Sequence, residues 1–424
     1  MPDKSKFKYK MWVDPVAPSN DFPDKYKFHC INSIDELKQA LSLESKVMGF
    51  DTETTGLNHE DIFMVGYSFC LDGINAYYVP VKHENFGLGE EAIKLIYEKM
   101  CNTQIVYMFN MRYDDRVMEY HGFKEMIDNI DAQIPIEDRQ KYYNMLLDKQ
   151  FLYYDMSKVN ILDVPAMVFL VDTGNKFPSL KKSEEYFLGW RGASFEETVN
   201  SSEAAKEKIA SNPEEMVEEK KSTKKKKDVV VSFYHLTPDE AYFYAATDAL
   251  GTLLLGLKLM PFLKAAKKSG ELDTACLHPL MRFENELTLI DVDRLKGYSE
   301  DLSKQIEEIQ QRCYTIAGEE FNLGSPVDNN RVLTKLNIHT GVTTSRGMST
   351  SKAAIKQCLE SLDKNDPARQ LLQDLVNYAS LTKQRSSYVD NTIEMCKSKI
   401  HPNRLRFSYK NCEVPSGRFA AGRR

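Results

Sequence analysis

Residues 47–57 read VMGFDTETTGL, and the fold is decided there. Val47 to Asp51 is an apolar, strand-like run that ends on acid. Alternate residues of a strand point to one face, so Asp51 and Glu53 are presented side by side. Two adjacent carboxylates repel each other and resist burial unless a cation lies between them. By itself the pair is equally well a solvated strand end. Outward from it run further strand-like stretches at Phe63–Cys70, Ala76–Val81 and Ile105–Phe109. Ser33 followed by Glu36 makes a capping box ahead of a helix carrying Leu37, Ala40 and Leu41. Strands first and helices after predict an α/β domain on a mixed sheet.

Two further segments carry acids. In 106–118, VYMFNMRYDDRVM, a strand runs into Asn110 and Asp114 follows one helical turn on. In 239–255, DEAYFYAATDALGTLLL, Tyr244 and Asp248 lie i, i+4 on one helix face, beside an apolar stripe at 241, 245, 249, 253 and 254. Each segment alone fits a surface acid. Together they fit phosphodiester hydrolysis, where two divalent ions about 3.5–4 Å apart activate a water and stabilise the leaving oxygen. Hard Mg²⁺ or Mn²⁺ prefers carboxylate oxygen. The Tyr244 hydroxyl could orient the water.

The rest of the chain sets the frame. Its 424 residues predict two or three domains. Eight cysteines without a CxxC pair suggest reduced thiols, neither zinc nor disulfides. A net charge of −6 excludes a uniformly basic surface but allows local basic patches. No apolar run reads as a membrane span, and the lysine-rich start is unlike a signal peptide, so an intracellular, cytoplasmic protein is expected. The low-complexity 199–232 region includes EEKKSTKKKK at 218–227 and reads as a solvated insertion. A basic flap on nucleic-acid backbone is the alternative. From about 276 the pattern turns helical, first with Leu295, Leu302, Ile306 and Ile309 on one face, then around 351–361 and 367–397.

At these acids the sequence resembles the DEDD exonuclease superfamily, in the subgroup with tyrosine in its third motif. Asp51 and Glu53 fall on the first motif, Asn110, Tyr113 and Asp114 on the second, Tyr244 and Asp248 on the third. The resemblance implies a ribonuclease H-like fold, four acids holding two Mg or Mn ions, and Tyr244 positioning the nucleophile. It also implies Leu57 wedged near the terminal base. The segment 179–189, SLKKSEEYFLG, resembles the helix between the second and third motifs.

The C-terminal third resembles the thumb of family A DNA polymerases, the DNA polymerase I kind. Segments at 318–326, 348–360, 381–390 and 399–411 follow that order. Lys383 and Arg385 match basic thumb positions, and Arg418 matches the arginine of a TGRL-like segment. Ala379 stands where the family carries another arginine. The implied layout is an N-terminal extension at 1–27, an exonuclease domain at 28–270 and a thumb at 276–424 that stops before palm and fingers. The function this resemblance implies is that of a phage-type proofreading 3′→5′ exonuclease. Its partners would be a single-stranded 3′ end, primer–template duplex and a separate polypeptide with palm and fingers. It would have no membrane partner and no synthesis of its own. A freestanding exoribonuclease and a non-catalytic DNA-binding subunit are the competing readings.

Overall fold

The computed structural model describes residues 23–56, 62–148, 154–171, 179–203, 206, 232–265, 272, 275–285, 287–344, 347–364, 366, 368–398, 400–411, 414, 416 and 418–423. The chain divides into two compact units, residues 1–285 with 408–422, and residues 286–407 with 423–424.

The first unit is built on six strands: β1 (Lys27–Cys30), β2 (Val47–Thr54), β3 (Met64–Cys70), β4 (Asn75–Pro80), β5 (Ile105–Met108) and β6 (Ile161–Asp163). Their order is β1-β4-β3-β2-β5-β6. β2 pairs antiparallel with β3 and parallel with β5, so the sheet is mixed, as expected. The sequence patterns for β2 to β5 match observed strands. β1 (KFHC) and β6 (ILD) are not visible in the pattern, since neither carries the continuous apolar run that marks the similarly short β5 (IVYM).

Apolar side chains cover both faces. Met48 and Phe50 of β2 join a core with α1 (Ile34–Leu41) and α2 (Glu90–Cys101). On the other face, Ala246, Ala249, Leu250 and Leu253 of the Pro238–Ala265 helix form a second core. α1 starts as its sequence suggests. The Ser33 hydroxyl accepts from the Glu36 N–H at 3.2 Å, while the Glu36 carboxylate reaches one residue further back, to the Asn32 N–H at 2.8 Å.

The Pro238–Leu263 stretch corrects the expectation that no apolar run could span a membrane. By length and composition it could, although Asp248 and Lys258 interrupt it. With 61% of its apolar window buried inside the fold, it is a core helix here.

The Leu277–Asn285 helix and residues 408–422 belong to the first unit, although the sequence pattern groups them with the C-terminal region. Leu277 and Met281 complete the first unit's core. The buried Glu284 takes Arg112 at 2.9 Å, Arg116, and the Tyr409 N–H at 2.6 Å. The attachment therefore rests on a buried ionic network that periodicity does not reveal.

The second unit is helix-rich. The Val292–Ala317 helix buries Leu302, Ile306 and Ile309, with Leu295 half-buried on the same side. Its C-terminal half packs on the Ala368–Lys383 helix through Ile309, Cys313, Leu371, Leu372 and Leu375. Arg312 pairs with the buried Asp374 at 2.9 Å across that contact. Beyond Lys383 the backbone continues as a π-helical turn over Gln384–Asp390 before the Asn391–Met395 helix.

Candidate active site

The site forms where β2 runs beneath the Pro238–Ala265 helix. Met48 and Phe50 face the opposite core, so Gly49, Asp51 and Glu53 turn toward this helix. A Cβ at Gly49 would collide with the Ala249 carbonyl, so glycine is what lets helix and strand approach this closely. Asp248 precedes that carbonyl. Its ligand oxygen and those of Asp51 and Glu53 all lie within 4.8 Å of one another. β2 also carries an irregularity between Glu53 and Thr54, at the end of this acidic run.

Asp114 arrives from the other side. It lies in α3 (Met111–Glu119), entered through Asn110 in a left-handed conformation with φ of 69°. Asp163 at the end of β6 fixes that entry by accepting from the Met111 N–H at 2.8 Å. Both the N–H and the hydroxyl of Thr52 donate to Asp114 Oδ1, at 3.0 and 2.6 Å. Three segments spread over nearly two hundred residues thus bring four carboxylates together.

The electrostatics follow from burial. Asp51 is held well above the usual carboxylate range by burial first, then by Asp114, Glu53 and Asp248. Glu53 is raised in the same way, and its Oε1 is buried without a hydrogen-bond partner. Asp114 is pushed up to about 7 by burial, against the two Thr52 hydrogen bonds. Asp248 is raised by burial, opposed by Lys181 and Tyr244. Four crowded acids and an unsatisfied buried oxygen are the donor set that a hard divalent cation satisfies. Asp51, Glu53 and Asp248 could hold such an ion between them.

Tyr244 sits one helical turn before Asp248. Burial holds the phenol well above its ordinary value, so it stays protonated. Its ring packs against Phe233 and Phe195, with centroids 5.8 and 6.4 Å away. Tyr113 donates to the Gly56 carbonyl at 2.5 Å and pairs with the Thr54 hydroxyl, bracing the end of β2. Leu57 and the lysines at 220–227 lie outside the described residues.

The basic positions expected to contact DNA are divided between the two units. Lys383 and Arg385 are in the second unit and Arg418 is in the first. Lys383 is exposed and, with Tyr298, Lys352 and Tyr388, lines an open groove of about 700 Å³. Arg385 is paired with Asp390 at 3.2 Å. Arg418 is exposed.

Sequence reasoning missed Lys181. The Leu180–Phe187 helix places its ammonium on Asp248 Oδ1, 3.8 Å from Glu184 and 5.3 Å from the centre of the Tyr244 ring. The i, i+3 spacing of Lys181 and Glu184 is the available signal, but many surface helices show it.

Residues 292–422 match the family model DNA polymerase family A. The DNA polymerase I of Rhizobium leguminosarum is 24% identical over 390 residues, covering 88% of this chain and 33% of that protein. That of Pseudomonas aeruginosa is 25% identical over 391 residues, 89% of this chain and 36% of its own length. The Bacillus subtilis enzyme is 30% identical over 120 residues, 28% of this chain and 13% of that protein. The chain therefore spans about a third of the length of the Rhizobium and Pseudomonas relatives. Among solved structures, the POL domain of Pol1 from M. smegmatis, in complex with DNA primer-template and dNTP, superposes with a TM-score of 0.59 at 14% identity. The match covers 93% of this chain and 54% of that one, a likeness of fold. These matches relate the chain to the family A DNA polymerases of the DNA polymerase I kind.

Proposed function

We propose that the first unit is a 3′→5′ exonuclease of the DEDD type, with a ribonuclease H-like fold, that removes 3′-terminal nucleotides in proofreading. The observation that carries this reading is the convergence of Asp51, Glu53, Asp114 and Asp248 with Tyr244 alongside. Mg²⁺ or Mn²⁺ held by these acids would activate water and stabilise the leaving oxygen. The protein's own part is positional. Thr52 fixes Asp114, Gly49 admits Asp248 to the strand, and Tyr244 offers a protonated hydroxyl that orients a water without taking its proton. Asn110 and Tyr113 shape the wall beside the acids. Leu57, which follows the end of β2 in sequence, is assigned to the terminal base.

The second unit, in the same reading, is a thumb that grips primer–template through Lys383 and Arg385, with Arg418 as a further phosphate contact. The match of 292–422 to the polymerase family supports this, and the M. smegmatis structure of similar fold holds a DNA primer-template. We place the protein in bacterial cytoplasm, encoded by the cell or by a phage.

The test is shortening of 3′-labelled strands with Mg²⁺ or Mn²⁺ and with chelator. Metal-dependent loss from DNA in preference to RNA is expected. Preference for RNA would favour an exoribonuclease. No shortening of either would leave only a binding protein.

A further inference from the structure

Lys181 is the one described cation against the acid cluster, and the proposed reaction gives it no task. Its side chain is 18% exposed, and its ammonium donates to Asp248 Oδ1. Glu184, fully buried, lies 3.8 Å behind it and is itself fixed by the Gly192 N–H, which donates at 3.0 Å. A Cβ at Gly251 would strike Glu184 Oε1, so the Pro238–Ala265 helix is shaped around this carboxylate. Glu184, Lys181 and Asp248 make a buried charge row that ends on a proposed metal ligand.

We propose that Lys181, braced by Glu184, is a positioning residue that neutralises Asp248 and sets the affinity of the acid cluster for its divalent cation. This rests on the reading of the four acids as metal ligands. The ammonium and an arriving cation share one carboxylate and repel each other, so the lysine weakens ion binding. It also holds Asp248 and the Tyr244 ring in place, so losing it should slow the reaction although the ion binds better.

The experiment is direct Mn²⁺ titration at pH 8, by the electron paramagnetic resonance of free ion, beside single-turnover exonuclease rates. In Lys181→Met, Mn²⁺ should bind about tenfold or more tightly, the scale of one screened unit-charge repulsion at ion-pair distance. The rate at saturating Mn²⁺ should fall. Lys181→Arg should restore near-wild-type affinity. Glu184→Gln keeps an oxygen for the Gly192 N–H but unbalances Lys181, so Mn²⁺ should bind more weakly, the opposite sign. A purely structural lysine would lower thermal stability in Lys181→Met and leave affinity unchanged, which overturns the proposal, as would two shifts of the same sign. Should Lys181→Met fail to fold, the sign in Glu184→Gln decides alone. The two readings fail separately: Mn²⁺ binding unaffected by Asp51→Ala sinks the metal site itself. Binding lost there but unmoved by the lysine and glutamate changes sinks only the role of Lys181.

Discussion

The acid cluster of the first unit and the basic residues Lys383 and Arg385 of the second are built on opposite plans. The acids are buried, crowded and wedged by close backbone approach, so their chemistry follows from placement. Lys383 is exposed, and Arg385 already has Asp390 for a partner. Burial makes a residue's role legible, because a buried charge must be answered by something nearby. An exposed lysine is satisfied by water, and its role depends on what arrives.

The contrast breaks first at the acids. Asp51→Ala or Asp248→Ala should lower nuclease rates by about 10³-fold or more, the scale of the charge stabilisation metals supply, while duplex binding persists. Wild-type rates in Asp51→Ala would refute the assignment. Next in size is Tyr244→Phe. If the hydroxyl only orients water, activity falls about 10²-fold or less with Mn²⁺ binding intact. A loss of Mn²⁺ affinity would show that the phenol instead supports Asp248.

pH sharpens the contrast. Asp114 is raised by burial from 3.8 to about 7, so the folded protein holds an extra proton between those values. Without divalent ions its contribution to stability is full below 3.8 and is lost as pH rises through about 7. Melting in chelator should therefore be lower at pH 8 than at pH 5.5, Asp114→Asn should shrink the difference, and Mn²⁺ should reverse it. Metal binding must also weaken as pH falls through about 7, since ligands bind deprotonated. A melting temperature independent of pH would mean that the acids are more hydrated than their burial suggests.

The groove should give the smaller effects. Lys383→Ala should flatten the salt dependence of duplex binding by about 0.9 log units, one phosphate contact, and hardly touch cleavage of short single strands. Arg385→Ala should do less, because Asp390 competes for the guanidinium. Smallest of all, deleting 212–228 should leave the salt slope unchanged. If the deletion flattens it and Lys383→Ala does not, the lysine run holds the DNA.

How much is legible in the sequence divides along the same line. Strand and helix periods pair Asp51 with Glu53 and Tyr244 with Asp248 on one face each, but it is the resemblance to a known motif set that joins them with Asp114 as one expected site. The four inner strands come from such local patterns. Thr52 as the clamp on Asp114, and Glu284 as the anchor of the Leu277–Asn285 helix, make contacts across 62, 125 and 168 residues, which no local period encodes. Lys181 is hidden for a different reason, since the helix that carries it also has Lys182, Glu184 and Glu185.

The π-helical turn at Gln384–Asp390 bears on how this region can change. A wider turn holds an additional residue within a helix that otherwise runs on, so its presence is a matter of chain count more than of chemistry. Removing a single codon within 386–390 would let α geometry pass straight through with the residues beyond it nearly in place, whereas the same deletion within the Ala368–Lys383 helix would swing everything beyond it about 100° around the axis. The aim of the basic residues on this helix is therefore set by length as much as by side chains. A one-residue deletion in the π-helical turn should disturb duplex binding less than one in the preceding α-helix.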